Sequence, residues 1–242
     1  MGFLDLFRRR TETPAPAPAP APVVASSGNL DELDEAARKA VLPGFLSRTE
    51  AIERVREELE LSDDATAVED AVDRVWQARL AEEATWSDGS SDYERVARAF
   101  AALNDAGMVA RMDFTCCNNC GNSEIGGERT ALSNPGDGYR YREEQFVFFH
   151  QQDSDRLVDE PAQLFLTFGA WRAARDTDPE LLAAARKGDK DAEKRIHGES
   201  DRKVGEQVRD ALAAEGLVVT WSGNPAERLA VEIAHWRKPL PR

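Results

Sequence analysis

Three cysteines fall within five positions, in Thr115-Cys116-Cys117-Asn118-Asn119-Cys120-Gly121, and none occurs elsewhere in the 242 residues. Cys117 and Cys120 stand in the C-x-x-C spacing that lets two thiolates grip one tetrahedral metal ion, with Cys116 or a distant side chain completing the shell. The same spacing at a helix start serves a dithiol redox pair. Three small polarisable thiols can also do no more than fill a strand-to-helix corner. Thr115 reads as the N-cap of a short helix, which would put the thiols in its first turn, where free amides and the helix dipole favour thiolate.

A closed zinc shell takes four donors, normally from two knuckles, and this chain has one knuckle. The chain has three histidines to offer as a further donor. His150 is the best placed, because it ends an apolar strand at Phe149 and opens the polar run Gln151-Gln152-Asp153. His197 falls in a charged surface stretch, and His235 beside Trp236 reads as structural. The metal set read from the sequence is therefore Cys116, Cys117, Cys120 and His150, with zinc as the cofactor. His150, Asp153 and Asp155 form a second polar cluster, able to hold a divalent ion or to act as acid and base, although a polar hairpin loop has the same appearance. For the redox use, the surroundings lack the β-α-β start of a thioredoxin-like fold. No glycine-rich phosphate loop, nucleophile elbow, HExxH or Walker pattern occurs, which speaks against the common NTPases, serine hydrolases and zinc proteases.

The elements that must position these groups divide into two compositional parts. Residues 31–107 carry apolar residues at helical spacing, as in Ile52, Val55 and Leu59, then Val68, Val72 and Val75, then Val96, Phe100 and Leu103. After Gly107 the period changes to two. Strands are predicted at 108–114, 144–150, 164–168, 217–221 and 229–236, with a turn at 135–138 and a helix at 202–215. The stretch 176–200 reads as a polar, partly helical excursion. The fold class is α+β: an N-terminal helical segment, then a mostly antiparallel sheet of about five strands with at least one packed helix. The expected organisation is a flexible arm with a Pro-Ala linker at 1–22, an acidic helical segment at 23–107, and an α+β domain with the cysteine cluster at 108–242.

Acids outnumber bases 45 to 31, a formal net charge of −14, and residues 31–107 alone hold 20 acids against 9 bases. Phosphate neutralisation needs clustered Lys and Arg, so nucleic acid is not the expected partner; a protein is. No apolar run reaches the ~20 residues of a spanning helix. Three crowded cysteines make no disulfide framework, and the chain reads as cytoplasmic. Met1–Arg10, MGFLDLFRRR, lacks the order of a secretory signal and at most rests weakly on a membrane surface. The Pro-Ala alternation after it is a polyproline II spacer.

The segments VARMDFTCCNNCGNSEI at 109–125, FVFFHQQDSD at 146–155, LFLTFG at 164–169 and VGEQVRDALAAEGLVVTW at 204–221 resemble an uncharacterised actinobacterial domain family with a T-C-C-x-x-C-G … F-H-Q-Q-D pattern, over residues 30–236. The resemblance implies a shared fold and a shared site at Cys116, Cys117, Cys120 and His150, and no activity. The reading that follows is a non-catalytic binding or structural module. Its alternatives are a thiol oxidoreductase using Cys117 and Cys120, or a metal-dependent hydrolase at His150, Asp153 and Asp155.

Overall fold

The computed structural model describes residues 27–61, 66–87, 91–135 and 138–242. The arm at 1–22, its membrane contact and its spacer lie outside the described residues, as do Gly136 and Asp137 of the expected turn.

Helices α1 (Ser27–Val41), α2 (Arg48–Glu58) and α3 (Thr66–Glu83) come first. Helix α2 starts where Ser47 and Glu50 each satisfy the other's backbone N–H, the reciprocal cap that fixes a helix start. Their apolar stripes meet in one cluster, among them Val41, Ile52, Val55 and Val72, which Leu240 from the far end of the chain completes. Two polar contacts hold that end: Leu240 N donates to Glu83 at 2.7 Å, and the buried Arg79 donates to the Trp236 carbonyl at 3.0 Å.

Helix α4 (Asp92–Asp105) repeats the reciprocal cap with Ser91 and Glu94 and leads into the sheet. Five strands, β1 (Met108–Arg111), β2 (Gln145–Phe148), β3 (Ala162–Ala170), β4 (Val219–Thr220) and β5 (Leu229–Ile233), lie in the order β1-β2-β3-β5-β4. β1 and β2 are parallel, and every other pair is antiparallel. A parallel neighbour cannot be reached by a hairpin, so the chain between β1 and β2 crosses over. That crossover carries α5 (Asn118–Glu124) and a 3₁₀ turn at Ile125–Glu128. At the open edge of β1, the Asn104 side chain exchanges two hydrogen bonds of 3.1 Å with Ala110, which blocks pairing by another strand.

Two stretches differ from the sequence reading. The helix expected at 202–215 is α8 (Lys190–Ala214), 25 residues long, and α7 (Pro179–Arg186) precedes it. The charges at 190–200 masked its first half. Asp189 caps it at the start, Ala192 and Ile196 are buried, and pairs such as Arg202–Glu206 at 2.6 Å cover its outer side. The polar run after β2 is not a loop but a one-turn helix, α6 (Gln151–Ser154), continued by a 3₁₀ turn at Asp155–Val158.

One sheet face buries Val147, Leu164, Leu166, Leu229 and Val231 against Val96, Phe100 and Leu103 of α4 and Val204, Val208 and Leu212 of α8. Gly205 lets α8 approach this closely, since a Cβ there would stand 2.5 Å from the Trp221 ring. The opposite face is covered differently. Over β1 and β2 it buries Val109 and Phe148 under Ile125, with Phe114, Phe146 and Trp171 beside them. Along β3 it presents the half-buried Phe165 and Thr167. Among the described residues, no helix is long and apolar enough to cross a membrane.

Candidate metal centre

The three cysteines sit on that second face, at the start of α5. Chain geometry brings them there in a tight corner after β1. Asp113 and Thr115 both take positive φ, +52° and +59°, which costs a β-branched threonine free energy and persists only where neighbours impose it. The neighbours are the end of β2 and the turn after it. Phe114 N donates to Phe149 O at 2.8 Å, Gln151 N donates to Thr115 O at 3.0 Å, and the Asp113 carboxylate accepts from Ser154 Oγ at 2.5 Å. The helix cap is consequently Cys117, and not Thr115 as the sequence suggested. Thr115 already lies in the turn, and Cys117 has the extended backbone a cap needs. The Cys117 Sγ accepts from Cys120 N at 3.4 Å.

Cys116 Sγ lies 3.4 Å and Cys117 Sγ 3.1 Å from Cys120 Sγ, and all three sulfurs fall within 4.8 Å of one another. A tetrahedral zinc with Zn–S bonds of about 2.3 Å would hold its sulfurs about 3.8 Å apart, so the gathering is of the size that one such ion occupies. Among the described residues, no His, Asp or Glu joins the three cysteines in this gathering. Cys116 is exposed, and Cys117 and Cys120 are half-buried. One hydrogen bond and one close packing contact anchor the helix that carries them. Asn118 Oδ1 accepts from Thr167 Oγ1 on β3 at 2.7 Å, and Gly121 lies so close over the Phe148 ring that a Cβ would stand 2.3 Å from it.

The family model for a Domain of unknown function (DUF6891) matches residues 26–240. The chain belongs to the DUF6891 family. Comparison with curated proteins and comparison with solved structures each find no match.

In this DUF6891 domain the thiols do not titrate alike. The backbone N–H of Cys120, and then its thiol, donate to Cys117 and lower the Cys117 pKa. Cys120, whose proton is shared with Cys117 and Cys116, is pushed up to about 12. Cys117 and Cys120 are thus a pair that shares a proton, which a bound metal ion would replace.

His150 lies outside the three-sulfur group but on the adjoining piece of chain, one residue before the Gln151 amide that bonds Thr115. Its side chain is buried, and burial lowers its pKa, so the ring is neutral. Nε2 stands 3.0 Å from Asp153 Oδ2, and the buried Nδ1 has no hydrogen-bond partner. Asp153 is itself buried and carries a bidentate Arg228, with Nη1 at 3.1 Å from Oδ1 and Nη2 on Oδ2. Asp155 turns elsewhere and pairs with Arg54 at 2.5 Å. His150, Asp153 and Asp155 therefore do not converge on one point, since each carboxylate is held by its own arginine. His197 is exposed on α8, and the exposed His235 pairs with Glu160 at 3.1 Å. Sequence reasoning did not find Arg228. It lies 75 residues from Asp153, and its only signal is an arginine one step before an alternating strand.

Proposed function

We propose that this domain is a zinc-binding module of structural or protein-binding role, in which Cys116, Cys117 and Cys120 supply thiolates and His150 completes the shell through Nδ1. The observation that carries the reading is the convergence of three sulfurs within 4.8 Å on a corner held in two positive-φ conformations. His150 supports it independently. A metal-binding histidine characteristically donates its other ring N–H to a carboxylate, and here Nε2 faces Asp153 while Nδ1 is left as a buried, unpartnered nitrogen. Reduced thiols of this kind persist in a compartment such as the cytoplasm, which is where we place the protein. Both large apolar clusters form without the cysteines, so the ion would order the corner rather than the whole fold.

The second reading, dithiol chemistry, is favoured by one observation: Cys117 and Cys120 are 3.1 Å apart, with the cap position lowering the Cys117 pKa. One experiment separates them. The full chain is purified without added metal or chelator, and metal content is measured by mass spectrometry beside a thiol titration. About one zinc per chain with protected thiols is expected. No metal, with thiols that react at once at neutral pH, would overturn the zinc reading in favour of the dithiol.

A further inference from the structure

Arg228 immediately precedes β5, and its side chain reaches across β3 to the turn that carries Asp153. Its guanidinium makes three contacts there: both Asp153 oxygens, and the Phe165 carbonyl at 2.6 Å. Asp153 is 2% exposed. A carboxylate so deeply buried is costly without a counter-charge, and Arg228 is the cation bonded to it. The planar fork also fixes how the carboxylate is rotated, which a point charge such as lysine would not do. Oδ2 of that carboxylate then meets two groups of His150: the backbone N–H at 3.3 Å and Nε2 at 3.0 Å. An anionic oxygen facing Nε2 demands that the ring proton sit there, and Nδ1 is left with its lone pair free.

We propose that Arg228 is the positioning residue of the zinc centre: it holds Asp153, and through Asp153 the His150 tautomer that offers Nδ1 to the ion. The proposal rests on the zinc reading above. A purely structural Arg228 would tie β5 to α6 and change stability alone. A positioning Arg228 also changes how well the centre binds metal. Loss of such an outer partner lowers metal affinity by about 10–100-fold.

The test uses the full chain and zinc itself, with affinity measured by competition against a chromophoric chelator, and cobalt(II) as a spectroscopic substitute. Expected are a 10–100-fold weaker zinc affinity in Arg228→Gln and Asp153→Asn, partial recovery in Arg228→Lys, and in both weakened variants a cobalt spectrum moved toward that of His150→Ala. Wild-type affinity and a wild-type cobalt spectrum in Arg228→Gln would overturn the proposal. The ¹⁵N shifts of the His150 ring in the unsubstituted, metal-free protein test it without any variant that might misfold. They should report a proton on Nε2, and a proton on Nδ1 would overturn it. Failure of the zinc reading looks different, because then the wild type takes up no zinc and Cys117→Ser changes nothing. If Cys117→Ser abolishes binding and His150→Ala weakens it while Arg228→Gln does not alter it, the zinc reading stands and the role of Arg228 falls.

Discussion

Gly121 is where α5 rests on the sheet, and a single methyl group there tests whether that contact positions the cysteines. In Gly121→Ala the new Cβ would lie 2.3, 2.6 and 3.2 Å from three carbons of the Phe148 ring, whereas carbon atoms in contact prefer about 3.5–4.0 Å. The ring has little room to retreat. It is fully buried and flanked by Phe114 and Phe146 at centroid distances of 5.9 and 6.1 Å. Overpacking of this kind costs about 1–3 kcal/mol. A 2.3 Å approach belongs in the upper half of that range, and alanine regains up to about 1 kcal/mol of helix propensity over glycine, so the expected net loss is about 1–2 kcal/mol. The alternative relief is for α5 to lift, which carries Cys120 away from its partners. Urea denaturation of the metal-free protein reads the first effect, and zinc competition reads the second. Gly198→Ala in α8 is the internal control, because a Cβ there meets nothing within 4 Å and the same change should stabilise by up to about 1 kcal/mol. Gly121→Ala matching or exceeding wild-type stability, with zinc affinity unchanged, would refute the argument that this contact sets the corner.

Phe149 sits fully buried among the rings of Phe45, Phe100 and Trp236, and Phe149→Ala should cost about 3–5 kcal/mol in the same denaturation assay. Asp92→Ala removes the acceptor of two backbone N–H groups, Ala234 at 2.7 Å and His235 at 2.9 Å, and should cost about 1–3 kcal/mol, with hydrogen exchange accelerated at those two amides. Leu240→Ala should destabilise by about 2–4 kcal/mol, because that side chain closes the cluster of α1, α2 and α3; an unchanged midpoint would show that the chain end is not part of it. Burial raises the pKa of Asp113, so its carboxylate binds a proton more tightly in the folded than in the unfolded state. That contribution is fully present below the unfolded pKa and is lost as pH rises through the folded pKa, the reverse of an ordinary salt-bridged aspartate. Asp113→Asn should therefore gain stability relative to wild type between acid and neutral pH, and thermal melts at pH 4 and pH 7 check the sign.

Much of this architecture was legible before any coordinates. The five strands appear where period-two runs predicted them, and α2, α3 and α4 where apolar residues recur at helical spacing. The helices, β3 and β5 bury one stripe or face, so their sequences carry the period, whereas β1 and β2 are buried on both faces and read as short continuous apolar runs. Helix α8 was half hidden because a long surface helix can run on charged residues paired with each other, and such a stretch reads as a polar, only partly helical excursion. The polar turn after β2 was hidden for a related reason. Its Asp153 and Ser154 are buried by hydrogen bonds to distant residues, which leave no local pattern.

The site divides along the same line. Chain spacing determined that Cys117 and Cys120 are neighbours, because residues three apart at a helix start meet on one face, whereas Cys116 joins them through the corner that β2 and the turn after it impose. Spacing also marked His150 as the histidine at a strand end. It did not determine which ring nitrogen is free, which carboxylate of the run faces the ring, or which cation makes that carboxylate tolerable. Those depend on β3 pairing with β2 on one side and β5 on the other, which carries Arg228 to Asp153 and Thr167 to Asn118. Strand order and register are set by burying all the apolar faces at once, and no single segment contains that information.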